Sequence, residues 1–134
     1  MAGRRIYSSD QQITDRPHKI NSQFSLESAE GQAAWAEYLF GMREYPAAEA
    51  RADRALELNP SLVSALNIKG LLLARRLKDA EAYDCWNKLL SIDEYNPQAN
   101  YNSGLVALRM GKIYDAMDRL ELAALTPELR SAAY

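Results

Sequence analysis

A chain of 134 residues, 48% hydrophobic and 25% charged, has the length for one domain with a modest core and the composition of an ordinary globular protein. Its formal net charge of −2 supplies no attraction toward nucleic acid or an anionic membrane surface. The lone cysteine, Cys85, excludes an internal disulfide and the disulfide-stapled class of secreted folds, and no apolar run approaches the ~20 residues of a membrane span.

Residues 1–24 lack helical periodicity and are rich in Ser, Gln, Asp and Arg, with Ile6, Tyr7, Ile13, Ile20 and Phe24 scattered among them. This leading arm carries Arg4, Arg5, Arg16 and Lys19 against Asp10 and Asp15, a net +2. Residues 25–60 set Arg43, Arg51 and Arg54 against Glu27, Glu30, Glu37, Glu44, Glu49, Asp53 and Glu57, a net −4. Two expectations follow for the arm: a solvated tail, or an apolar piece that docks on the same or another molecule. Behind Arg4-Arg5 comes Ile6-Tyr7-Ser8-Ser9-Asp10, too polar for the core of an export signal, so the expected location is the cytoplasm.

From residue 25 onward the sequence repeats itself. Ala36, Gly70 and Gly104 stand 34 residues apart, as do Ala48, Ala82 and Ala116. Leu39, Leu73 and Ala107 keep the same step, and so do Ala55, Leu89 and Ala123. Each unit reads as two amphipathic helices around a tight turn. First helices are expected over about 28–42, 62–76 and 97–110, and second helices over about 46–58, 79–92 and 113–125. Pro46 and Pro97 suit first helical turns, and Asn96 and Thr126 suit helix caps. Gly111 suits a left-handed helix end. Antiparallel helices approach closely only where one side lacks bulk, so Gly70 and Ala82 are expected at the crossing. Trp35, Tyr45, Trp86 and Leu120 are expected to fill the space beside such crossings.

These residues resemble the tetratricopeptide repeat family over about 28–126, with Gly70, Ala82, Trp86 and Pro60 at the pattern positions. Glu94 departs from it, standing where the closing proline would recur, with Pro97 three residues later. The resemblance implies an all-α chain of three helix-turn-helix units in a right-handed superhelix, spanning 25–126, with a short capping helix over 127–134. It also implies a concave face lined by first helices: Glu30, Ala33, Glu37, Phe40, Ser64, Asn67, Leu71, Arg75, Gln98, Tyr101, Leu105, Leu108 and Arg109, with Asn102 beside them. Among these, Phe40, Leu71, Tyr101, Leu105 and Leu108 form an apolar strip, and Asn67 and Asn102 can donate to and accept from a peptide backbone. Arg75 and Arg109 suit acidic side chains of a ligand, or the ends of their own helices. Some relatives hold a C-terminal carboxylate in a clamp of lysine, arginine and asparagine. The corresponding residues here are Ala33, Glu37, Ile68, Gln98 and Asn102; Glu37 repels a carboxylate, so binding of chaperone tails is not expected.

Catalytic chemistry is not legible. His18 and Cys85 make no metal-ligand set, and phosphate loops, zinc spacings and hydrolase or kinase signatures are absent. The expected function is a protein-interaction module without enzyme activity, metal or cofactor, which holds an extended or helical peptide as an adaptor. The set expected to hold it is Glu37, Phe40, Asn67, Leu71, Arg75, Tyr101, Asn102, Leu105 and Arg109. Two alternatives remain open: a self-assembling module whose arm or final edge binds another copy, and a chaperone like those of type III secretion. Neither a nucleic acid nor a membrane is an expected partner.

Overall fold

The computed structural model describes residues 25–125; the leading arm with His18, the Thr126 cap and the expected helix over 127–134 lie outside them. Among the described residues the chain is all-helical, with six helices in three pairs. They are α1 (Ala29–Gly41), α2 (Tyr45–Leu58), α3 (Val63–Arg75), α4 (Asp79–Ile92), α5 (Pro97–Arg109) and α6 (Ile113–Ala124). The boundaries fall within one residue of those expected from periodicity. Helices of 12 to 14 residues are marginal alone in water, so their stability comes from the faces they bury.

Helix starts differ in how they are closed, and α3 begins after Leu62 with no side-chain cap. The α1 start is capped by Ser28, whose Oγ accepts from the Gly31 N–H at 3.0 Å, and the α5 start by Asn96, whose Oδ1 accepts from the Ala99 N–H at 2.9 Å. The second helix of each pair has no such cap. Its start is set by the turn, in which the N–H groups of Glu44, Lys78 and Lys112 donate back to the carbonyls of Leu39, Leu73 and Ala107 at 2.9, 3.0 and 2.8 Å. Just before each donor stands a left-handed residue: Arg43 (φ 64°), Leu77 (φ 59°) and Gly111 (φ 80°). Only the third is a glycine, so sequence reading found this turn conformation once and missed it twice.

The chain divides into two compact units, Met1–Pro60 and Ser61–Tyr134. In the first, α1 packs on α2, and Trp35, Ala36, Leu39, Ala48, Ala52 and Ala55 are buried. The Arg51 guanidinium lies over the Trp35 ring, 4.6 Å from its centroid, and donates to Gln32 Oε1 at 3.1 Å. Phe40 meets Tyr45 edge to face, ring centroids 5.4 Å apart.

In the second unit α3 packs on α4, α4 on α5 and α5 on α6. The α3–α4 crossing is made as expected. Trp86 is 1% exposed and covers Gly70 so closely that a Cβ there would lie 2.6 Å from the Trp86 Cε2 atom. Its indole N–H donates to Asn67 Oδ1 at 2.9 Å. Gly70→Ala is therefore expected to destabilise by about 1–2 kcal/mol, overpacking outweighing the gain in helix propensity. Leu77→Gly, which relieves an exposed left-handed leucine, is expected to stabilise by about 1 kcal/mol. Urea unfolding of the two variants checks both signs.

Candidate functional site

The second unit holds a cleft of about 560 Å³ between the first half of α5 and the last half of α6. Its walls are Pro97, Gln98, Tyr101 and Asn102 from α5 and Leu120, Ala123 and Ala124 from α6. Asn96 and Pro97 start α5 where the cleft opens, and the spacing 98, 101, 102 brings three polar-tipped side chains to one helix face. Tyr101 is 52% exposed and Asn102 half-buried. The α6 side is apolar, and its two alanines leave the space open.

Of the residues expected to hold a peptide, the cleft gathers Tyr101 and Asn102. Leu105 and Leu108 lie further along α5, 37% and 43% exposed. Asn67 and Arg109 have partners inside the unit. Asn67 accepts the Trp86 N–H, and Arg109 makes a two-pronged ion pair with Asp79, at 3.0 and 2.6 Å. Their hydrogen bond, with the attraction of the charges, holds the Asp79 carboxyl below its ordinary range and raises Arg109. Leu71 is half-buried and Arg75 exposed on α3. Glu37 and Phe40 belong to the first unit, where burial pushes the Glu37 carboxyl up. Ala33, placed by the resemblance on the concave face, is 1% exposed.

Sequence reading missed Leu120, Ala123 and Ala124 as cleft walls, although the 34-residue alignment contains the signal: they stand where α4 carries Trp86, Leu89 and Leu90. It also missed a polar cluster that joins α4, α5 and α6. Arg119 donates to Asp115 Oδ1 (3.1 Å), Ser103 Oγ (2.9 Å), the Tyr83 hydroxyl (3.0 Å) and Asn87 Oδ1 (2.6 Å). Its guanidinium also lies 4.6 Å from the centroid of the Tyr83 ring. The Tyr83 hydroxyl in turn donates to Asp115 Oδ2. Burial acts to raise the Asp115 carboxyl, but hydrogen bonds from Tyr83 and Arg119 outweigh it and hold it below the usual range. Tyr83 is raised, first by burial and then by its bond to Asp115.

Cys85 is half-buried on α4. Burial pushes its thiol up, which keeps it protonated and unreactive near neutral pH. Among the described residues no three His, Cys, Asp or Glu side chains are grouped to hold a metal ion. No helix among them is long and apolar enough to cross a membrane.

Neither a family model nor a curated protein matches the chain. Solved structures do. A crystal structure of MamA is 25% identical with a TM-score of 0.68, covering 82% of this chain and 64% of that one. A second MamA structure is 24% identical with a TM-score of 0.66, covering 82% and 60%. The Yersinia enterocolitica type III secretion translocator chaperone SycD, in an alternative dimer, is 17% identical with a TM-score of 0.68, covering 81% and 86%. The chain thus spans less than two thirds of the MamA chains it matches. The fold is that of a tetratricopeptide-like helical solenoid, built from three helix pairs.

The paired carboxylates give the stability a pH dependence of defined sign. Asp79 and Asp115 are held below their unfolded value of about 3.9. Their contribution is therefore fully present above that pH and is lost as pH falls through the lower folded values. Arg119→Met is expected to lower stability at pH 7 by about 2 kcal/mol, since it leaves Ser103 and Asn87 without that donor and Asp115 with the Tyr83 hydroxyl alone. It should also lessen the loss between pH 5 and pH 3, leaving the parts carried by Asp79 and by the Tyr83 bond to Asp115. Urea midpoints across that range measure both effects.

Proposed function

We propose that the chain is a non-catalytic holding module in the cytoplasm, whose α5–α6 cleft and the exposed face of α5 beyond it receive a segment of another protein. The observation that carries this reading is the cleft. Its volume lies within the ~300–1,000 Å³ of typical binding pockets. Apolar walls at Leu120, Ala123 and Ala124 face polar tips at Gln98, Tyr101 and Asn102. An asparagine amide both donates and accepts, which suits the backbone of a bound segment, while Leu105 and Leu108 extend an apolar track along α5. Leu71 and Arg75 of α3 enter as flanking contacts, and Glu37 and Phe40 stay with the first unit. Asn67 and Arg109 enter only by exchanging the internal partners they now hold.

SycD is a translocator chaperone, which makes a chaperone the specific form of holder to test first. A second reading, self-association, is favoured by the exposure of Ile113, Tyr114 and Met117 on α6. Affinity capture with the intact protein, followed by cross-link mapping, tests the main reading against a Tyr101→Ala, Asn102→Ala variant. Loss of the partner and of cross-links to α5 is expected; a partner retained equally by both proteins overturns the site. A mass that rises with concentration in light scattering, and falls to monomer on Met117→Glu, supports self-association.

A further inference from the structure

Between the second and third helix pairs the repeat loses bulk in the last half of its second helix. In α4, Trp86, Leu89 and Leu90 stand where α6 has Leu120, Ala123 and Ala124. In the second pair the indole of Trp86 fills the space over Gly70 and hands its N–H to Asn67. In the third, Leu120 covers Gly104 in the same way, with its Cγ 2.9 Å from where a Cβ would stand, but it has no ring to extend beyond it. The partner of the indole changes as well, Asn67 giving way to Tyr101. The space between the helices that α4 closes with an indole and leucines is, in the third pair, part of the open cleft.

Among the described residues, negative groups outnumber positive ones at that end. The C-termini of α4 and α6 meet the N-terminus of α5 there, so two negative helix ends oppose one positive end. Asp93 and Glu94 lie exposed in the turn leading to α5, and Glu121 lies exposed on α6 one turn from Ala124. Among the described residues two bases accompany them in sequence. Lys88 is exposed on α4, and Arg119 is spent on its four acceptors.

We propose that the cleft is a socket for one bulky aromatic side chain, presented by a partner segment that carries a basic residue beside it. The ring takes the volume that an indole takes one repeat earlier, stacking on Leu120, Ala123 and the face of Tyr101. Asn102 and Gln98 take the polar edge of the ring or the backbone next to it. The base meets the carboxylates of Glu94 and Glu121. This inference rests on the holding function proposed above and names the chemistry that the same site selects.

Three capped hexapeptides, alike except for a central Trp-Arg, Ala-Arg or Trp-Glu pair, test it on the intact chain by amide chemical shifts. The Trp-Arg peptide should shift Gln98, Tyr101, Asn102, Ala123 and Ala124. It should bind at least about tenfold more tightly than the Ala-Arg peptide, the least that burying a large apolar side chain gives, and more tightly than the Trp-Glu peptide in low salt. Leu120→Trp, which supplies the ring from within, should abolish these shifts, and Ala124→Leu serves as an independent filling variant should the first lose its helicity. Equal affinities for the Trp-Arg and Ala-Arg peptides, or shifts confined to residues outside the cleft, overturn the socket. So does deletion of residues 126–134, if that alone moves the same amides, because the occupant is then the chain's own segment. If the socket fails while a captured partner still needs Tyr101 and Asn102, the holding function stands without it. If that partner ignores both residues, the holding function itself fails.

Discussion

The close approach of two short helices governs the rest of this structure. A pair of helices of 12 to 14 residues holds together only if its backbones come near enough for the flanking side chains to interlock. The small residues at Ala36, Gly70 and Gly104, and at Ala48, Ala82 and Ala116, make that approach possible. Once the backbones are close, little freedom remains. The turn must reverse the chain quickly, which forces a left-handed residue before each second helix even where the sequence supplies arginine or leucine. The side chain that covers the crossing must then be large, or space is left over. Trp86 is larger than Leu120, and the cleft of the second unit lies beside Leu120.

The helices themselves were legible because their signal is repeated. A 34-residue step locates small residues in three copies, and one copy explains another. Caps with a polar side chain, such as Asn96, were legible for the same local reason. The turn conformation at Arg43 and Leu77 was hidden because it is imposed by closure between helices, and nothing in either side chain prefers it. The resemblance put Tyr101 and Asn102 on one side of a first helix, and the cleft lies there. Their opposite wall was hidden, because Leu120, Ala123 and Ala124 matter through the bulk they lack. Asn67 and Arg109 show the complementary difficulty: a side chain that can bind a ligand can equally bind its neighbours, and only coordinates show that Trp86 and Asp79 have taken them.

Period alone also conceals where polar groups are buried. Arg51 and Arg119 occupy one repeat position two repeats apart, with Cys85 between them. Each arginine lies against an aromatic ring, Arg51 over Trp35 and Arg119 over Tyr83. The intervening cysteine makes a small, inert contact instead. Both arginines are half-buried, each with a ring face and at least one hydrogen-bond acceptor at hand.

The Arg119 cluster also bears on how the molecule comes apart. Solenoids commonly fray from an end, because each element touches only its neighbours. Here one guanidinium on α6 is bonded to side chains of α4 and α5 at once. Peeling α6 away would strand its acceptors on both of those helices in a single step. α6 is thereby tied to the opening of the whole second unit, and its amides should exchange with solvent at the pace of α4.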